Sequence, residues 1–178
     1  MPPRLSPADI EYIRAARYPA DGRLGDFGLW RLERRRLEHA AMIRKVGFDS
    51  LVTLSCFTLQ TMNQDRGEIV MNDGQTELRR HLPIWRAAHG RVLVTGLGLG
   101  CVVRGLLSKP EVEHIDVVEK CPLIMAWVGT PFRPEPRVSL HLGDAFAFDA
   151  GDRRWDFASL DITSDTEKVP LLHMQLIQ

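Results

Sequence analysis

Three glycines at alternate positions, Gly96, Gly98 and Gly100, follow the apolar run Val92-Leu-Val-Thr95. They stand where a strand gives way to a helix. Glycine there permits a tight turn and a close approach of backbone to ligand. The start of the helix adds unbonded N–H groups and the positive end of its dipole. Glu119 ends the next apolar run, about twenty residues on, where a carboxylate can accept both hydroxyls of a ribose. Asp144 follows a third run, in Gly143-Asp144-Ala145, within reach of an adenine amino group, and Asp161 closes a fourth. Acidic groups therefore end three successive strands on the carboxyl edge of a sheet, the edge at which open α/β sheets bind ligands. Alone, Gly-x-Gly-x-Gly is also compatible with a plain strand-to-helix turn. The three carboxylates favour a nucleoside site.

The same residues narrow the ligand. A dinucleotide turn of the type Gly-x-Gly-x-x-Gly would need a glycine where Cys101 stands. No Lys-Ser or Lys-Thr follows the turn, so it is not an ATP-binding P-loop. An acid-rich crevice with few cations suits a positively charged, phosphate-free ligand, and S-adenosylmethionine is one. The histidines form no His-x-His or His-Glu-x-x-His pattern, so no metal site is expected. No Gly-x-Ser-x-Gly elbow occurs, and Cys101 reads as a packed small residue.

Elements that would position these groups can be read from the pattern. Ser6-Pro7 starts a helix running to about Arg17, with Ser as cap and Pro at the first turn. Asp26 reads as the cap of a second helix to about Lys45, with an apolar stripe through Leu29, Leu32, Leu37 and Ala40 and its arginines solvated. The runs 51–60 and 67–72 read as a β-hairpin. Residues 75–89 read as helical, with Pro83 kinking the helix or starting its second part. Strands at 91–95, 114–118, 138–142 and 157–161 then alternate with helices reaching about Ser108 and spanning 122–128, and 168–178 reads as a terminal helix. Alternation of this kind implies a parallel sheet covered on both faces. The expected fold is therefore α/β, with a shortened Rossmann-like sheet of about four parallel strands. Residues 1–74 form an extension of N-terminal helices and the hairpin, and 75–178 form the cofactor-binding domain.

Bulk properties set the outer bounds. The chain has 178 residues, 44% hydrophobic and 26% charged, with 23 basic and 23 acidic side chains. That is an ordinary globular composition. Its balanced charge does not drive it onto nucleic acid or membrane. No apolar run is long enough for a spanning helix, and the first residues lack the apolar stretch of a signal peptide. Three cysteines, odd in number and widely spaced, point to a reduced, cytoplasmic protein.

Taken together, residues 68–165 resemble the class I S-adenosylmethionine-dependent methyltransferases, and within them the spermidine-synthase-like branch. Arg91–Gly100 resembles the first motif, Asp116-Val-Val-Glu119 the second, Val138–Ala145 the third and Trp155–Asp161 the fourth, while His81-Leu-Pro-Ile84 is similar to the segment before the first strand. The resemblance implies that Gly96, Gly98 and Gly100 line the methionine moiety. It also implies that Glu119 holds the ribose hydroxyls, that Asp144 meets the adenine edge and that Asp161 faces the reacting centre. Thr95 stands where many methyltransferases carry an acid. Leu99 stands where spermidine synthases carry an acid inside the turn, and Gln75-Thr76-Glu77 replaces their Tyr-His-Glu. The superfamily sheet usually has seven strands, against four readable here.

The implied reaction is methyl transfer to a small or cationic acceptor, an in-line displacement in which the protein aligns the partners and excludes water. Asp161 is the candidate base or positioning group, with Asp165 beside it, although Asp165 equally suits a helix cap. Glu68, Asp73 and Glu77 read either as an acidic lip that attracts a cationic acceptor or as solvated carboxylates. The alternatives are an aminopropyltransferase of spermidine-synthase type and a non-catalytic module that keeps the fold to bind a partner. An apolar edge after the fourth strand would be covered by a second copy, making a homodimer.

Overall fold

The computed structural model describes residues 5–40, 43, 48–57 and 67–160. These fall into two compact units: the described residues of 1–87 with 98–109, and those of 88–97 with 110–178. The expected terminal helix, Asp161 and Asp165 lie outside the described residues.

The first unit opens with α1 (Pro7–Ala16). Ser6 caps it reciprocally: the Asp9 amide donates to the Ser6 hydroxyl, and the Ser6 amide to the Asp9 carboxylate. Asp9 is buried and takes a bidentate pair from Arg86, 2.8 Å to each oxygen. That guanidinium holds its carboxyl well below the usual carboxylate range. An antiparallel sheet follows, β1 (Gly25–Phe27), β2 (Trp30–Arg36), β3 (Ser50–Cys56) and β4 (Glu68–Asn72), paired in that order.

The helix expected from Asp26 is thus a hairpin. Gly28 turns it with φ +64°, which a side-chain-bearing residue would adopt only with strain. The arginines that read as a helical surface have other partners: Arg31 pairs with Asp26 across the hairpin, Arg35 with Glu33 on its own strand, and Arg34 donates to the loop carbonyls of Pro19 and Ala20. Trp30 to Arg36 pair residue for residue with Cys56 to Ser50. Non-local pairing of this kind outweighs weak helix propensity. The helical segment at 75–89 does divide near Pro83, into α2 (Gln75–Arg80) and α3 (Leu82–Ala87). With α4 (Cys101–Leu107) these helices bury Trp85, whose indole donates to the Val102 carbonyl.

Four parallel strands form the second unit: β5 (Gly90–Thr95), β6 (Val112–Glu119), β7 (Val138–Leu142) and β8 (Phe157–Leu160), in the order β7-β6-β5-β8. A short α5 (Pro122–Trp127) follows β6. The central strands are buried almost end to end, at Val92, Val94, Ile115, Val117 and Val118 among others, as parallel sheets require. The chain winds outward from β5 through β6 to β7, then returns to the other side of β5 as β8. That reversal is the Rossmann-like order, and it puts the switch point at the carboxyl ends of β5 and β8.

Candidate functional site

Each glycine of the turn after β5 has the backbone that glycine favours: φ is +83° at Gly96, +50° at Gly98 and +74° at Gly100. Gly96 remains tied to the sheet, its amide donating to the Val118 carbonyl at 2.8 Å. Gly98 and Gly100 belong by contacts to the first unit, where Gly100 leads into α4.

Glu119, the last residue of β6, is only 7% exposed. Its two carboxylate oxygens do different work. One accepts from the Leu97 amide at 2.7 Å and the other from the Cys121 amide at 2.7 Å. The carboxylate therefore bridges the turn after β5 and the start of α5. Each oxygen has a second lone pair beyond these bonds, so the fixed carboxylate still has acceptor capacity for hydroxyl donors.

Asp144 follows β7, and the Gly143 amide before it donates to the Glu119 carbonyl at 3.0 Å. One Asp144 oxygen accepts from the Phe146 amide at 3.0 Å and the other from the Lys120 ammonium at 3.1 Å. The backbone bond from Phe146 first, and then Lys120, hold the Asp144 carboxyl below its ordinary pKa. Lys120 is 79% exposed, so another donor can replace it at little cost. A Cβ added at Gly143 would meet nothing within 4 Å, so the turn faces open space. Leu123, Leu142 and Phe146 are exposed large apolar side chains of α5 and of the segment from the end of β7 past Asp144. Glu119 and Asp144 thus both stand at the carboxyl ends of parallel strands, while Asp161, the residue after Leu160 of β8, lies outside the described residues.

Two acidic groups serve other ends. Asp73 is neither a lip residue nor solvated. It is buried and accepts from Arg17, from the Tyr18 amide and from the Val52 amide at 2.6 Å, joining the end of α1 to β3. Sequence reasoning gave no role of its own to Asp116, which is buried on β6. It accepts from the Trp155 indole and His141 at 2.9 Å each, with Arg91 at 3.3 Å. Burial opposes its ionisation, but the bonds from Trp155 and His141 outweigh that and keep it more acidic than usual. Its signal was polarity inside an otherwise apolar strand, Ile115-Asp116-Val117. Burial pushes the Cys101 thiol up to about 11, which suits packing and not nucleophilic work. All three cysteines are free, and no cluster of metal-ligating side chains occurs among the described residues. A cavity of about 720 Å³ lies by Arg91 and residues 149–154, at the amino end of β5, away from the glycine turn. No helix among the described residues is long and apolar enough to cross a membrane.

No protein-family model and no curated protein matches the chain. Solved structures do overlap part of it. The N-terminal domain of EvdMO1 with SAH bound is 20% identical and covers 45% of this chain and 34% of its own, at a TM-score of 0.37. A SAM-bound amino pentose methyltransferase from Micromonospora echinaspora is 23% identical over 47% of this chain and 33% of its own, at 0.34. The spermidine synthase from Thermotoga maritima is 13% identical over 69% of this chain and 40% of its own, at 0.42. The chain spans between a third and two-fifths of the length of these proteins. By the strand order of its own parallel sheet, it has a Rossmann-like α/β fold.

Proposed function

We propose that the chain binds S-adenosylmethionine at the carboxyl edge of β5, β6 and β7, and transfers a methyl group to a small or cationic acceptor. The observation that carries this reading is Glu119, a nearly buried carboxylate fixed by two backbone amides beside the glycine turn, with lone pairs left over. The donor set fits the cofactor. Carboxylates at Glu119 and Asp144 accept from hydroxyl and amino groups, and neither position offers a phosphate a fixed cation.

In this reading Glu119 orients the ribose by its free lone pairs. Asp144 exchanges the Lys120 ammonium for the adenine amino group. Leu142 and Phe146 supply apolar surface for the ring, and Gly96 allows the backbone to approach the methionine portion. When bound, the cofactor supplies a methyl carbon already activated by the sulfonium. What remains for the chain is alignment, exclusion of water and, for an amine or hydroxyl acceptor, removal of a proton. Asp161, directly after β8 in sequence, is assigned that last task.

Calorimetric titration of the full chain with S-adenosylmethionine, S-adenosylhomocysteine and decarboxylated S-adenosylmethionine tests the reading. Micromolar binding of the first two is expected, weakened about tenfold or more in Asp144→Ala, the loss of roughly one hydrogen bond to a charged group. Tighter binding of the decarboxylated form would shift the reading to aminopropyl transfer. No heat with any ligand, from a folded sample, would leave a binding module without this cofactor.

A further inference from the structure

A crossover between parallel strands is usually carried by a helix. The connection from β7 to β8, residues 143–156, has only one turn of 3-10 helix, Ala145–Ala147. Its order has to come from side chains. His114 and Asp116 alternate along β6, Ser139 and His141 along β7, and Asp116 pairs in register with Ser139, so the four share one face of the sheet. Asp116 lies buried there. One of its oxygens accepts from His141 at 2.9 Å, the other from the Trp155 indole at 2.9 Å and from Arg91 at 3.3 Å. His114 Nε2 lies 3.0 Å from the Ser139 hydroxyl beside it. Phe148, inside the connection, closes the circuit: its ring centroid stands 4.9 Å from that of His141 and 6.3 Å from that of Trp155.

Both ends of the connection thus meet on one buried carboxylate. At its start, Leu142 and Gly143 lead from His141 to Asp144, which holds its own turn: its carboxylate accepts from the Phe146 amide at 3.0 Å and its carbonyl from the Ala147 amide at 3.1 Å. At its end, Trp155 stands two residues before β8. Bonds to a charged acceptor are stronger than neutral ones, and a donor that loses a buried acceptor bears the full cost of desolvation. We infer that Asp116 is a positioning residue of the nucleoside site. By holding His141 and Trp155 it fixes the connection that carries Asp144 and Phe146, and so presents both to the adenine ring. It acts through these partners and not on the ligand itself. This role rests on the reading that the edge binds an adenosine cofactor.

Replacing Asp116 would strip a buried carboxylate from the sheet, so the test removes one donor at a time. Trp155→Phe keeps a ring against Phe148 and loses the N–H. His141→Phe does the same on β7, and His141→Gln restores a donor in the place of Nε2. In calorimetry on the full chain, each Phe variant should bind S-adenosylhomocysteine about fivefold or more weakly. His141→Gln should stay within about twofold of the unsubstituted chain. Unaltered affinity in the Phe variants overturns the inference. So does an equal loss in His141→Gln, since the ring and not the bond would then matter. A second measurement needs no ligand: backbone order parameters of residues 144–148, from nitrogen relaxation of the labelled chain, should lie near about 0.85 and fall toward about 0.6 in Trp155→Phe, while those of β6 keep their values. Values already low in the unsubstituted chain, unmoved in the variant, or falling across all four strands overturn the inference. If S-adenosylhomocysteine binds none of these proteins while the order parameters fall as stated, the cofactor reading fails and the tethering of the connection by Asp116 stands.

Discussion

Replacing Glu119 by Ala separates a carboxylate that only waits for ligand from one that also holds the site together. The side chain makes two charge-assisted bonds to backbone amides, 2.7 Å each, at a position 7% exposed. Hydrogen bonds to charged groups contribute about 1.5–3 kcal/mol apiece. The lower figure applies here, because water at the turn can satisfy part of what the truncation frees. Glu119→Ala should therefore cost about 3 kcal/mol of folding stability in all. With a urea slope of about 2 kcal/mol per molar, the midpoint should fall by about 1.5 M at unchanged slope. Glu119→Gln keeps one acceptor but points an amide N–H at the other donor, and should lose about half as much. Urea unfolding followed by circular dichroism reads both. A Glu119→Ala midpoint within about 0.25 M of the unsubstituted chain would refute the reasoning: the carboxylate would not be clamping the turn, and the site would not be preformed as described.

Two further outcomes follow from the first unit. The Asp9 carboxyl is held far below its unfolded value, near 3.9, chiefly by Arg86. A depressed folded value contributes stability that is present above the unfolded value and is lost as pH falls below it. Stability should thus decline below about pH 4, and the decline should shrink in Asp9→Asn. Urea midpoints between pH 2 and 7 check this, and identical slopes against pH in both proteins would contradict it. Gly105→Ala should destabilise by about 1–3 kcal/mol, because the added Cβ would stand 2.4 Å from the buried Trp85 indole. Thermal unfolding of Gly105→Ala reads that cost, and an unshifted transition would mean that Trp85 can move aside.

The parallel sheet was legible because its signals are local. Strands buried on both faces are continuous apolar runs, and Val92–Val94 and Ile115–Val118 interrupt theirs only at Asp116. Alternate glycines with positive φ and acids at strand ends are fixed by backbone sterics and by the edge they occupy. Sequence therefore placed the glycines after β5, Glu119 at the end of β6 and Asp144 after β7. The segment 26–45 misled because its leucines also fit a helical period. What makes residues 30–36 a strand is β3, whose partner residues lie about twenty positions away, and no local window contains them. The same distance hid the work of single side chains. Asp73 looked like a surface acid, but it satisfies Arg17 and two amides brought to it by folding. Met71 looked like an ordinary strand residue, but it answers the Leu99 amide. Sequence alone determined where backbone must turn and where charge must stand along the edge. Only the tertiary structure decided which of those polar groups are already satisfied, because a hydrogen bond between distant residues has no signature in either residue's neighbours.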